Sequence, residues 1–159
     1  MNSKHIVEYY SDTKIPRYWI TSNILVGGDI IDQTDWDHLQ KDFNIRAAIN
    51  VSRKCSKNIK FECLNGCYDF TKDDLTKIVN FAIDTAAPIY LYCESGADKS
   101  PYFAYAILRK RYQLSSEASL ARIKQRLPDD NYNMIFDQYA KEYIKSIEDA
   151  VGQDIFKIT

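Results

Sequence analysis

The feature that most constrains this fold is a short apolar run that leads through a glycine-containing turn directly into a helix. The run is Ile89–Tyr92, the turn covers 93–99, and a helical pattern follows over 101–112. When a buried strand enters a helix through a wrapped turn, several backbone N–H groups point at one spot, and the helix N-terminus adds partial positive charge there. The segment therefore predicts a phosphate-binding loop.

A cysteine at the edge of this loop has the chemistry of a nucleophile. The amides that bind an anion also stabilise the thiolate of Cys93, which makes it a candidate for attack on phosphorus. Lys99 adds a full positive charge, and Ser100 places a hydroxyl close to the sulfur. Taken alone, a cysteine at a strand end is more often a buried structural residue. The surrounding sequence is what separates the two interpretations.

The rest of the chain alternates strands with helices. Apolar and β-branched runs predict strands over 18–26, 47–51, 59–64 and 89–92. Apolar residues at helical spacing predict helices over 34–43, 73–85, 101–112, from Ser115 or Ser116 to before Pro128, and over 134–150. This alternation predicts a single α/β domain with a mainly parallel central sheet flanked by helices. A ligand of such a sheet lies beyond the carboxyl ends of its strands, and Cys93 follows such an end.

Composition narrows the functional class. The 159 residues are 45% hydrophobic and carry a formal net charge of -1, which supports a packed core and argues against a dedicated nucleic-acid-binding protein. No apolar run approaches the roughly 20 residues of a membrane span, and no signal peptide is visible, so we expect a cytoplasmic or nuclear protein. The four cysteines have no ligand-like spacing to the two histidines, so we expect no metal and no other cofactor. The oligomeric state is left open.

Around the loop, the sequence resembles the dual-specificity branch of the cysteine-dependent protein tyrosine phosphatases, whose signature is H-C-x5-R-S at a strand-to-helix turn. The match extends over 89–108 and includes Cys93, Gly96 and Ser100. Other segments that resemble this family are 20–27, 48–52, 115–118 and the R-x-P-D-x-N-x-N-like stretch 126–133. The resemblance implies an N-terminal extension over 1–17, a phosphatase-like domain over 18–151 and a C-terminal tail over 152–159.

The resemblance also implies a set of site residues. Cys93 would attack phosphorus, and Ser100 would assist breakdown of the thiophosphate. The phosphoryl oxygens would be held by the loop residues Glu94, Ser95, Gly96, Ala97, Asp98 and Lys99. Asn131 and Asn133 would brace the loop. The implied substrates are proteins phosphorylated on tyrosine, serine or threonine, and RNA 5′-phosphate or a phosphoinositide is less favoured.

Two loop positions depart from the family signature. Lys99 stands where the family has arginine, and a lysine is a point charge that cannot make the two parallel hydrogen bonds of a guanidinium. Tyr92 stands where the family has histidine, a residue that orients the loop and favours the thiolate. The change to Lys99 predicts slower chemistry. Tyr92 can fill the space of the histidine and donate one hydrogen bond, so we expect it to support the loop.

The general acid is a third departure. The family uses an aspartate some thirty residues before the cysteine to protonate the leaving oxygen. An alignment without gaps places an asparagine and a glycine, at 65–66, in that region. Asp69 is the nearest carboxylate and is our candidate acid, and Asp98 within the loop is the alternative. Asp73 and Asp74 are interpreted as charges in the first turn of a helix.

Two functions fit these residues. One is a cysteine-dependent phosphatase of dual-specificity type whose activity is attenuated by Lys99. The other is a pseudophosphatase, which binds phosphate or a phosphoprotein with little or no turnover. The retained Cys93, Gly96 and Ser100 favour the enzyme, and the three departures favour the binding module. A rhodanese-like sulfur carrier also uses a cysteine loop, but the helical tail of this chain argues against it.

Overall fold

The computed structural model describes residues 7–9, 16–51, 63–65, 68–86, 88–94 and 96–151. Within these ranges the strands are β1 (Val7–Tyr9), β2 (Pro16–Thr21), β3 (Ile24–Gly27), β4 (Ala47–Asn50), β5 (Cys63–Asn65) and β6 (Ile89–Tyr92). The helices are α1 (Gln33–Phe43), α2 (Lys72–Asp84), α3 (Ser100–Lys110), α4 (Ser116–Arg126) and α5 (Asp130–Val151). None of these helices combines the length and apolar character that crossing a membrane requires.

The strands form one sheet in the order β1-β2-β3-β6-β4-β5. Strands β3, β6, β4 and β5 run parallel, and β1 and β2 join antiparallel at one edge. Helix α1 packs on one face, and α2 to α5 cover the other face with the larger core. Because both faces are covered, the central strands are buried along their whole length, as parallel strands are in α/β proteins. The predicted α/β fold with a mainly parallel sheet is confirmed.

The largest error in the sequence prediction concerns the strand over 18–26. The chain turns at residues 22–23 and forms two antiparallel strands, β2 and β3. The backbone N–H of Asn23 donates to the Thr21 hydroxyl at 3.0 Å, which fixes this turn. The strand β1 was not predicted and lies inside the segment 1–17 that was interpreted as an extension. Of the predicted strand over 59–64, residues 59–62 lie outside the described part of the chain.

Helix starts follow their caps. Thr71 caps α2 and Ser115 caps α4, each by accepting a backbone N–H into its hydroxyl oxygen. Helix α5 begins at Asp130 rather than near 134, because the carboxylate of Asp129 accepts the N–H of Tyr132 at 2.9 Å. The apolar periodicity that predicted this helix starts only after its first turn.

A buried ion pair lies between the sheet and α1. The Arg17 guanidinium donates to both carboxylate oxygens of Asp35, at 2.6 and 2.7 Å, and both side chains are almost fully buried. Arg17 also donates to the carbonyl of Asp29 and to the hydroxyl of Tyr90. Tyr90 in turn donates to the carbonyl of Gly28. Burial raises the pKa of Tyr90 above its ordinary value, although Arg17 opposes the shift, so the hydroxyl stays a neutral donor.

This ion pair yields a first prediction. Asp35→Asn leaves the charge of Arg17 buried and uncompensated, so we expect the free energy of unfolding to fall by about 3 kcal/mol. Denaturant unfolding followed by circular dichroism measures the change. The matched control is Asp149→Asn, which breaks the exposed Lys145–Asp149 pair and is expected to cost less than about 1 kcal/mol. Equal losses in the two variants would contradict this prediction.

Candidate functional site

The loop that joins β6 to α3 is fixed by backbone contacts on both sides. Its first residue, Cys93, donates its N–H to the carbonyl of Gly27 at 3.3 Å, and Asp29 donates to the carbonyl of Glu94 at 3.1 Å. Gly96 has a φ of 77°, in the left-handed region. A Cβ at this position would lie 2.7 Å from the backbone of Gly27, so glycine is needed both for its conformation and for its size.

A tyrosine that the sequence did not single out holds the loop from below. The Tyr18 hydroxyl donates to the carbonyl of Gly96 at 2.6 Å, and the side chain is buried. Burial raises the pKa of Tyr18 well above its ordinary value, so the hydroxyl is a donor at any physiological pH. No local pattern marks this role, because Tyr18 and Gly96 meet only through the packing of β2 beneath the loop.

The sulfur of Cys93 is almost completely buried and has three polar neighbours. The backbone N–H of Gly96 donates to Sγ at 3.3 Å, and the hydroxyl oxygen of Ser100 lies 3.2 Å from it. The thiol in turn donates to the carboxylate of Asp98 at 3.5 Å. The amide and the hydroxyl favour a thiolate, whereas the negative charge of Asp98 opposes one. Loop and helix start thus form an anion-stabilising environment that includes one opposing carboxylate.

Lys99 is directed towards the segment before α2. Its side chain is 8% exposed, and its ammonium donates to the carbonyl of Tyr68 and, at 3.1 Å, to the carboxylate of Asp69. Asp69 is 76% exposed, and its backbone N–H donates to the carboxylate of Asp74 at 2.8 Å. Lys99 and Asp69 also line a crevice of about 230 Å³ that reaches α5. The structure thus brings the two predicted residues together, as partners of each other.

The remaining predicted residues lie around this centre. Tyr92 is buried on the α1 side of the sheet, where its ring stacks on Tyr90 with centroids 5.3 Å apart. Ala97 is buried and Glu94 is exposed, whereas Ser95 lies outside the described residues. The described part of the chain brings together no group of three or more His, Cys, Asp or Glu side chains that could hold a metal ion.

Asn131 and Asn133, which the family resemblance implies as braces of the loop, lie in the first turn of α5. Asn131 is exposed, and the amide of Asn133 donates to the carbonyl of Asp129 at 3.2 Å, within the start of α5. Neither side chain has a hydrogen bond to the described residues of the loop. The asparagines follow the capped start of α5 instead, and Tyr18 and the 28–29 segment hold the loop.

Comparison with known proteins identifies the fold. No protein-family model and no curated protein matches this sequence. Among solved structures, Tk-PTP in its active form superposes with a TM-score of 0.63 at 17% identity and covers 84% of this chain and 96% of its own. PTPMT1 has a TM-score of 0.58 at 17% identity, covering 84% and 99%. Human DUSP28 also has a TM-score of 0.58, at 14% identity, covering 86% and 95%. The chain therefore has the fold of the dual-specificity type of protein tyrosine phosphatase.

The carboxylate beside the sulfur yields a second prediction. Asp98→Asn removes the negative charge that opposes the thiolate of Cys93, so we expect iodoacetamide at pH 7 to alkylate Cys93 about five to ten times faster. Mass spectrometry of the peptide that contains Cys93 separates this reaction from that of the other cysteines. Asp37→Asn, at an exposed position of α1, is the control and should leave the rate unchanged. An unchanged rate in Asp98→Asn would show that this carboxylate does not act on the sulfur.

Proposed function

We propose that this chain, which has the fold of the dual-specificity protein tyrosine phosphatases, is a cysteine-dependent phosphatase with slow turnover. The observation that carries the proposal is the environment of Cys93. Its sulfur accepts the N–H of Gly96 and lies beside the Ser100 hydroxyl. Both contacts lie at the start of α3, where the N-cap residue Lys99 makes no side-chain capping hydrogen bond. A structural cysteine needs none of these contacts, whereas a nucleophile and the phosphoryl group it attacks use all of them.

The proposed reaction has two steps. In the first, the Cys93 thiolate forms a bond to phosphorus, the ester P–O bond breaks, and the leaving oxygen takes a proton from Asp69. In the second, water attacks the thiophosphate, the P–S bond breaks, and the proton of the water returns to Asp69. The Ser100 hydroxyl, 3.2 Å from Sγ, donates to the thiolate as it leaves. No metal is required, because loop amides and Lys99 balance the negative charge of the phosphoryl oxygens.

Two features of the loop account for slow turnover. Lys99 cannot grip a phosphoryl group with two parallel hydrogen bonds, and losing one good transition-state donor costs roughly 10²–10³-fold in rate. Asp98 places a further negative charge next to the sulfur. A bound phosphate dianion is therefore repelled by the Asp98 carboxylate. It is held by the single ammonium of Lys99 instead of the two N–H groups of an arginine.

A specific contact favours a second candidate, the pseudophosphatase. Lys99 already has an acceptor in the carbonyl of Tyr68 and a counter-ion in Asp69. In this arrangement Asp69, the candidate acid, and Lys99, the cation of the loop, are paired with each other. A module that binds a phosphorylated partner through loop amides alone would tolerate this pairing, whereas a catalyst must give it up during each turnover.

For the substrate class we propose phosphorylated proteins, following the resemblance to dual-specificity phosphatases. One structural neighbour, PTPMT1, has also been solved in complex with PI(5)P. A phosphoinositide and an RNA 5′-phosphate are therefore the competing substrates to assay beside a phosphopeptide. All of these ligands present the same phosphate monoester to the loop, so the loop residues alone do not discriminate among them.

Turnover of p-nitrophenyl phosphate separates the two candidate functions. For the enzyme we expect weak hydrolysis that Cys93→Ser abolishes and that Lys99→Arg raises by about 10-fold or more, because the guanidinium restores two-point binding. Lys141→Arg, at an exposed position of α5, is the matched control and should change nothing. Phosphopeptide binding that depends on the phosphate, without any Cys93-dependent turnover, would overturn the enzyme and support the pseudophosphatase.

A further inference from the structure

A second cavity lies at the opposite end of α3 from the phosphate loop. It has a volume of about 520 Å³, is open to solvent on one side, and is lined by the β2–β3 turn, the end of α3, the α3–α4 connection and α4. Small-molecule sites occupy about 300–1,000 Å³, so this open cavity is large enough to hold a small organic ligand. Helix α3 has 11 residues and spans about 16 Å, which separates the cavity from Cys93.

The walls of the cavity are mainly apolar. Trp19, Leu108 and Leu114 are the apolar side chains among its lining residues. Few polar groups line the cavity away from α4. Two of them, the hydroxyls of Thr21 and Tyr112, lie 3.3 Å apart, within hydrogen-bond distance of each other. An apolar wall with a small number of polar groups is the usual composition of a site that binds an organic molecule by its body.

Two arginines on α4 give the cavity its charge. Arg122 donates one N–H to the carbonyl of Ile20 at 3.1 Å, and among the described residues it has no carboxylate partner. A guanidinium has five N–H donors, so most of those of Arg122 remain available to a ligand. Arg126, one turn further along α4, donates to the carbonyl of Trp19 at 3.5 Å. Burial, and after it the like charge of Arg122, lower the pKa of Arg126.

We propose that this cavity binds a small aromatic carboxylate, with its carboxylate group on Arg122 and Arg126 and its ring against Trp19 and Leu108. A carboxylate matches the fork geometry of the Arg122 guanidinium, whose free N–H groups face this cavity. A single negative charge suits the site better than a phosphate dianion, because the apolar walls make desolvation of a second charge costly. The site is independent of the phosphatase chemistry and does not rest on it.

Tryptophan fluorescence tests this proposal with 1-naphthoate as the probe. The chain has two tryptophans, and Trp36 is buried on α1, so a Trp36→Phe background leaves Trp19 as the reporter. We expect saturable quenching of Trp19 by 1-naphthoate. Arg122→Gln should weaken binding at least tenfold, and the charge-matched control Lys141→Gln, on the exposed side of α5, should leave it unchanged. Equal affinity in Arg122→Gln and the control would overturn the proposal.

Two further measurements remain decisive if Arg122→Gln disturbs the fold. The neutral isostere 1-naphthamide should bind the unaltered protein at least tenfold more weakly than 1-naphthoate does. Inorganic phosphate in excess should fail to displace 1-naphthoate, since it competes only at the loop of Cys93. Equal binding of the amide, or displacement by inorganic phosphate, would show that the carboxylate is not recognised in this cavity.

Discussion

The contact between Gly96 and the backbone of Gly27 and Gly28 determines the shape of the candidate site. At this point the loop after β6 lies directly against the end of β3, with no room for a Cβ between the two chains. The close approach allows the chain to return towards the Cys93 sulfur, so that the Gly96 N–H reaches it at 3.3 Å. A side chain at Gly96 would push the loop outward, and the amide would leave the sulfur. The anion-stabilising geometry thus depends on how accurately the 27–29 segment is placed.

The buried ion pair of Arg17 and Asp35 supplies that accuracy. Arg17 holds the carbonyl of Asp29 directly and that of Gly28 through the hydroxyl of Tyr90. Burying two charges rarely increases stability by itself, because their desolvation offsets much of their attraction. Here the guanidinium also donates to the carbonyl of Asp29, and the Tyr90 hydroxyl that it contacts donates to the carbonyl of Gly28. The ion pair therefore acts mainly by orienting the end of β3, against which the loop packs.

The sequence predicted the parts of this molecule that depend on neighbouring residues. Strand β6, helix α3 and the glycine-containing turn between them follow from local apolar patterns, and the parallel sheet follows from the alternation of elements. The β2–β3 turn was not predicted, because it contains no glycine or proline and apolar residues continue on both sides of it. The partner of Lys99 and the role of Tyr18 were not predictable, because each depends on segments that are far apart in the sequence and adjacent only after folding.

In the reaction proposed above, the pairing of Lys99 with Asp69 would link phosphate binding to proton transfer. While the ammonium stays on the carboxylate, it lends little charge to a bound phosphoryl group, and Asp69 stays fixed at the edge of the site. A phosphate dianion in the loop competes with Asp69 for the same ammonium. If the phosphate displaces Asp69, the ammonium moves onto the phosphoryl oxygens. The freed Asp69 side chain then takes a proton from solvent and donates it to the leaving oxygen. An arginine could serve both partners at once through separate N–H groups, whereas a lysine must divide three donors that share one position. Whether the proposed site acts as a slow enzyme or as a binding module therefore depends largely on the side chain of Lys99.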